Sequence, residues 1–203
     1  SFPTDSGLTV GILPFQKIQM EVGVDFFEPY DYPFALNGKL GSPENALFKG
    51  SPALQVGFTN FGVTRKNIAN NIQSANVVFG VVGKTIPHLA RFSAGPYIGD
   101  GKVLVDKNGK KENTGYMVAF DRGFLPTKSK ADGSEYNRIV LAADYASGKN
   151  AFGGGGVGIY YFFTKDISLL TGPVWFNEQA INGKWKWTIQ LDINLSMFRK
   201  GTR

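Results

Sequence analysis

Cysteine is absent from the 203 residues, which removes disulfides, thiolate nucleophiles and thiolate metal ligands together. Histidine occurs once, at His88, so a multi-histidine metal cluster is excluded. No stretch approaches the roughly 18 consecutive apolar residues that a membrane-spanning helix requires. The richest one, "GIYYFFTKDISLLTGPVWF", is interrupted by Lys165, Asp166, Gly172 and Pro173. Apolar residues at helical spacing are scarce as well. Positive charge is present but not gathered: the net +6 is spread over "VTRKN", "DKNGKK" and "PTKSKADG". A nucleic-acid face needs clustering, so these segments read as solvated loops and no nucleic-acid partner is expected. The chain also begins at Ser1 without Met or an apolar h-region. Either a secretory signal has been removed or the numbering starts inside a longer precursor.

What is present is glycine, 26 residues of it, with 17 Phe and 8 Tyr, a mixture that suits strands and turns. The length fits one domain over 1–203, with a basic tail at 196–203. Alternation at period two recurs along nearly the whole chain. It predicts strands at about 7–13, 16–26, 34–41, 53–61, 76–84, 91–98, 114–123, 137–146, 155–164, 168–176 and 185–195. In "KIQMEVGVDF", Ile18, Met20, Val22, Val24 and Phe26 share one face. In "NRIVLAADY", Ile139, Leu141, Ala143 and Tyr145 do so; in "GGVGIYYFFT", Val157, Ile159, Tyr161 and Phe163. The last strand, "WKWTIQLDINL", alternates without a break from Trp185 to Leu195.

The connections alternate too. "LPFQ", "TIPHLA" and "TKD" are short, whereas "FEPYDYP", "GVTRKNIANNIQSA" and "GDGKVLVDKNGKKEN" are longer; "LPTKSKADGSEY" is a long exception among the short ones. Asn108-Gly109 and Asn182-Gly183 suit type I′ turns. "SPENALFKGS" (42–51) is the best place for a short helical turn, and "NGK" at 37–39 is either a turn or part of a strand.

Alternation alone does not distinguish a soluble calyx, apolar inside, from a membrane barrel, apolar outside. Three features favour the barrel. The polar face is rich in small residues (Gly23, Ser93, Gly95, Ala119, Ala142, Gly156, Gly158), as a crowded lumen would be. The strands outnumber those of an eight-stranded calyx. The connections match two unequal rims. Aromatics gather near strand ends, at Phe26 and Phe27, Phe124, Tyr145, Trp175 and Phe176, and Trp185, where a bilayer places interfacial rings.

On these residues the chain resembles the bacterial outer-membrane β-barrels of the porin-like kind. "GLTVGILPFQKIQMEVGVDF" is similar to a barrel hairpin with a tight periplasmic turn, and "WKWTIQLDINL" to a closing strand. The resemblance covers nearly the whole chain as a pattern and rests on no short motif. It implies an all-β, antiparallel, up-and-down transmembrane barrel in the outer membrane of a Gram-negative cell envelope. One departure is that "SMFRKGTR" follows the last strand; Phe198 closes the barrel or the tail is a periplasmic extension. Eleven strands is an odd number, whereas such barrels carry an even one with both termini at the periplasmic rim. The expectation is therefore about twelve strands, one preceding Ser1; the alternative count is ten.

The candidate lumen-lining charges are Lys17, Glu21, Asp25, Lys39, Lys84, Arg91, Asp121, Arg138, Asp144, Lys186 and Asp192. Six basic against five acidic residues predict no firm ion selectivity. The candidate lipid-facing and girdle residues are Phe26, Tyr145, Tyr161, Phe163, Trp185 and Trp187. His88 and Ser93 are too far apart along the wall for a nucleophile and its base, and a rim histidine is the better reading. Asp100, Asp106, Asn108 and Glu112 miss the calcium-loop spacing, and "AFGGGGVG" lacks the Lys-Ser/Thr of a phosphate loop. No catalytic residue, metal or cofactor is expected.

The leading expectation is a narrow, passive channel for small polar solutes, surrounded by outer-membrane lipid. The alternatives are a closed barrel that binds an envelope protein or a second copy through loops such as "EPYDYPF" and "VTRKNIANN", and a soluble calyx for an apolar ligand.

Overall fold

The computed structural model describes residues 4–13, 15, 17–28, 32–63 and 68–195. Eleven strands follow one another as β1 (Thr4–Gly11), β2 (Gln19–Glu28), β3 (Phe34–Ser42), β4 (Ala53–Gly62), β5 (Val77–Ile86), β6 (Ala90–Ile98), β7 (Thr114–Lys128), β8 (Glu135–Ala146), β9 (Gly154–Thr164), β10 (Ile167–Phe176) and β11 (Trp185–Ile193). Each pairs antiparallel with its sequence neighbours in a single up-and-down sheet. β1 pairs with β2 and β11 with β10, but β1 and β11 do not meet, so the sheet is not closed. Among the described residues the strands number eleven, as the alternation predicts, and not ten; the expected twelfth would lie ahead of Ser1. Residues 37–39 lie within β3 and are not a turn.

The strands form where the sequence alternates, and the register aligns the alternation from strand to strand. Leu8 pairs with Val24 and Val24 with Leu36; Leu40 pairs with Val56; Val118 pairs with Tyr145. Farther along, Leu141 pairs with Ile159, and Leu169 with both Tyr161 and Leu191. The result is one apolar face that crosses all eleven strands. It is open to the outside: Val56 is 58% exposed, Ile189 72% and Leu191 59%. A chain of 22.1 kDa folded as a compact globule would expose about 9,300 Å², whereas this one exposes 13400 Å². The excess is the mark of a sheet whose apolar face has no second layer of protein on it.

The sheet curls the other way round its polar face, so that Gln55 of β4 and Val174 and Phe176 of β10 border one cavity. Its connections fall at two ends. Among the described residues, the turn end holds 12–13, 15, 17–18, 43–52, 87–89, 129–134 and 165–166; the loop end holds 32–33, 63, 68–76, 99–113, 147–153 and 177–184. The buried apolar residues Ala75, Val77, Tyr97, Val103, Leu104 and Ala151 all cluster at the loop end, where the longer loops fold back over the concave side. Tyr97 packs edge-on against Phe152 with ring centroids 4.9 Å apart.

Three local expectations are corrected. Ser42 ends β3, and residues 43–51 form successive turns, not a helical one. Asn45 takes a left-handed φ of 62°, and its Oδ1 accepts from Gly50 N at 2.8 Å. The short helical pieces lie instead at Ile72–Ser74 (3₁₀) and Gln179–Asn182 (α1). Asn108-Gly109 does form a hairpin tip, closed by a bridge between Val105 and Lys111. Gly109 has φ 77° but Asn108 does not share its positive φ, so the turn is not type I′, which needs both. Asn182-Gly183 ends α1, with Gly183 at φ 83°. Pro14 and Gln16 of "LPFQ", residues 29–31 of "EPYDYPF", residues 64–67 of "VTRKNIANN" and the tail 196–203 with Phe198 lie outside the described residues.

Candidate functional site on the concave face

The concave face is a chain of three connected spaces. The first, about 830 Å³, opens at the turn end. Here Glu21 of β2 and Lys39 of β3 face each other in register and pair at 2.6 Å. Glu44, from the 43–52 connection, accepts from Thr85 N at 2.8 Å and Thr85 Oγ1 at 2.7 Å. The Thr85 hydroxyl, with Lys84 and Arg91 nearby, holds the Glu44 carboxyl below its usual range. Arg91, Ser93 and Gln55 complete a polar vestibule with two acids and two bases.

Past Gln55, Val81 and Ser93, which border both spaces, the lining changes character. The second space, about 520 Å³, is walled by Phe79, Met117, Phe152, Val174 and Phe176, with Asp144 as its charged group. The third, about 380 Å³, shares Ala119, Asp144 and Val174 with the second and adds Asp121, Tyr160 and Phe162. Gly156 N donates to Asp144 Oδ1 at 3.2 Å. Among the described residues, neither Asp121 nor Asp144 is paired with a basic side chain. Small residues make room here. A Cβ added to Gly158 would lie 2.4 Å from Leu170 Cδ1, and one on Gly23 2.5 Å from Asn37 Oδ1. In "AFGGGGVG", Gly156 and Gly158 make room for the side chains of Val174 and Leu170, whereas a Cβ on Gly153, Gly154 or Gly155 would first meet a backbone carbonyl oxygen.

The loop end is roofed by side chains that bond to backbone. Asn150, wholly buried, donates to Glu112 O and accepts from Phe152 N at 2.8 Å and Gly153 N at 2.9 Å. Asn177 donates to Ala146 O and Gly148 O, both at 2.9 Å, and Asn182 to Ala151 O at 3.0 Å. Asn113 donates to Gly99 O at 2.6 Å, and Asn70 accepts from Ala151 N across 81 residues of sequence. Phe152, held by this network, forms part of the inner wall.

Of the expected lining charges, Glu21, Asp25, Lys39, Arg91, Asp121, Asp144, Lys186 and Asp192 take concave positions in the register. Asn37 Nδ2 donates to Asp25 Oδ2 at 2.6 Å, and Gln190 Nε2 to Asp192 Oδ1 at 2.6 Å. Arg138 stands near the turn end with its guanidinium 3.5 Å from the hydroxyls of both Tyr136 and Tyr161. Two assignments are corrected. Lys84 pairs across with Phe92 and so points to the apolar face, where Nζ reaches Gly50 O at 2.9 Å and Glu44 at 3.7 Å. Lys17 lies in the connection before β2 and is exposed. One concave acid was not anticipated: Asp5, opposite Phe27. β1 begins at Thr4, three residues ahead of the expected strand, and alternation carried back from Leu8 would have reached it.

The six aromatics expected to face outward, Phe26, Tyr145, Tyr161, Phe163, Trp185 and Trp187, all fall on the apolar face. Trp187 Nε1 is satisfied by Thr171 Oγ1 at 2.8 Å. His88 sits in the 87–89 turn at φ 63°, exposed, while Ser93 stands farther along β6 on the concave side. In the 99–113 loop, Asp100 Oδ1 accepts from Lys102 N, and Asp106 Oδ1 from Asn108 N and Lys110 N. Turn amides therefore occupy these two carboxylates, and they hold the Asp106 carboxyl below its usual range. No protein-family model, no curated protein and no solved structure matches the chain.

Proposed function

We propose that the chain is the main part of an outer-membrane β-barrel whose polar interior is a narrow, passive path for small polar solutes. The observation that carries this is the contrast between the two faces. The outward face is apolar over most of its area on all eleven strands, broken by Lys84 and Arg122, while most charges and polar groups of the strands gather on the concave side. Soluble monomers rarely expose an apolar patch beyond about 300–600 Å², and a calyx would need the opposite arrangement, with its apolar residues inside. A bilayer covers such a face and leaves water or polar side chains within. β1 and β11 both run from the loop end to the turn end. One further strand running the other way would lie antiparallel to both and bring the barrel to twelve.

The roof at the loop end favours a second reading, in which the path is closed there and the loops bind a partner. Purified protein in a planar bilayer separates the two. A folded, heat-modifiable barrel with steady single-channel conductance, altered by Asp144→Lys, supports the path. A folded barrel that never conducts supports the closed form and overturns the path.

A further inference from the structure

We infer that the inner chamber takes organic ammonium cations, amines that carry an apolar or aromatic body. This deepens the proposed function, since it rests on the concave face being an enclosed barrel interior. The chamber and its extension, about 520 and 380 Å³, lie within the roughly 300–1,000 Å³ usual for small-molecule sites. Its walls are unlike the vestibule in front of it. Phe79, Met117, Phe152 and Phe176 give it an apolar and aromatic surface, and its charges, Asp121 and Asp144, are both negative.

Charge complementarity chooses the occupant. The whole chain is +6, yet the charged residues that line the chamber are Asp121 and Asp144. Arg91, opposite Asp121 in the register, leans over Gly83 towards the vestibule, and Lys186 stands at the chamber's margin. An inorganic cation would satisfy the carboxylates and waste the apolar wall. An apolar molecule would fill the wall and cover the Asp144 carboxylate, which among the described residues has Gly156 N but no basic side chain beside it, without supplying a counter-charge, and that is costly. An anion would be repelled. An amine with an apolar body satisfies both, and its charge is also attracted to aromatic faces. The wall already makes that kind of contact at its margin, where Lys186 Nζ lies 5.2 Å over the Phe176 ring.

The test is calorimetric titration of the detergent-folded protein with phenethylammonium chloride, beside neutral phenethyl alcohol and anionic phenylpropionate. The ammonium is expected to bind at least about tenfold more tightly than the alcohol, and the carboxylate not to bind. Asp144→Asn should remove most of that preference, with Asp121→Asn as the second variant should the first not fold. Equal binding of ammonium and alcohol, or no binding of either, overturns the inference. Conductance, measured separately, tells its failure from that of the path. Binding without conductance leaves the chamber standing and removes the channel. Conductance that is indifferent to phenethylammonium, with no heat of binding, does the reverse.

Discussion

Ile189 is the central residue of β11, four residues from Trp185 and four from Ile193. At about 3.3 Å per residue and a tilt near 40°, it lies roughly 10 Å from either end of the strand. That is close to the middle of an apolar band about 25 Å high. Its side chain is 72% exposed on the outward face and pairs across to Thr171. Two solvents therefore give two different costs for Ile189→Arg. In water, an exposed position away from any special feature changes stability by less than about 0.5 kcal/mol. At the midplane of a bilayer, the same arginine costs about 2–4 kcal/mol, falling to about 0–1 kcal/mol near the interface. Trp185→Arg, at the loop-end tip of the same strand, supplies the shallow comparison, and Gln190→Arg the inward one. The assay is reversible denaturant unfolding of the protein folded into lipid vesicles, followed by tryptophan fluorescence. We expect a steep depth dependence, with Ile189→Arg the most costly of the three. A cost for Ile189→Arg below about 0.5 kcal/mol, or equal to that of Trp185→Arg, would refute the membrane reading of this face.

The roof and the turn end supply two further tests. Asn150→Ala should leave Phe152 N and Glu112 O without their side-chain partner, at about 1–3 kcal/mol for each group left unpaired. Hydrogen exchange should then quicken over 99–113 and 147–153 while the strands hold, and unchanged protection would show that the loops do not depend on this residue. Asp132, in the 129–134 turn, accepts from Lys165 at 2.5 Å and from Ser134, which hold its carboxyl well below the usual range. Because the folded value is depressed, this tether is present in full above pH about 4 and weakens as pH falls through the lower folded value. A carboxyl ¹³C titration midpoint at or above the ordinary aspartate value would contradict the contact.

The faces of the clearly alternating strands were legible in the sequence because each backbone step reverses the side chain. In β2, β8, β9 and β11, one residue of known character fixes all the others. Lys84 shows where that fails. β5 carries valine on both faces, at Val77, Val78, Val81 and Val82, so its own pattern does not say which face is outward. Only the register with β6, which sets Lys84 opposite Phe92, decides it. The roof was illegible for a different reason. It consists of single asparagine-to-backbone bonds between loops far apart in sequence, such as Asn70 with Ala151, and such bonds follow no period. The inner chamber lies between these cases. Phe79, Met117, Phe162, Leu170 and Phe176 are apolar at positions where the alternation calls for polar residues. Those five departures were visible signals, but only the curl of the sheet brings them to one place.

The proposal of a membrane barrel and that of a twelfth strand are not independent. Among the described residues, β1 and β11 each present a row of backbone N–H and C=O groups without a strand beside them. In water such edges are a liability for aggregation; in lipid each unpaired group costs several kcal/mol, which is why spanning sheets close. The two edges cannot close antiparallel on each other, because both strands run from the loop end to the turn end. A second copy related by an axis along the membrane normal meets the same obstacle, since its β11 would approach β1 in parallel. A two-fold axis in the membrane plane would pair β1 with β1 antiparallel, but it would set the two loop ends on opposite sides of the bilayer. One strand of opposite direction satisfies both edges at once and keeps a single orientation. If the outward face is covered by lipid, the two edges must be closed, by that strand or by a parallel pairing of β1 with β11; if the open eleven-stranded sheet proves stable alone in water, the apolar face is covered by something other than a bilayer.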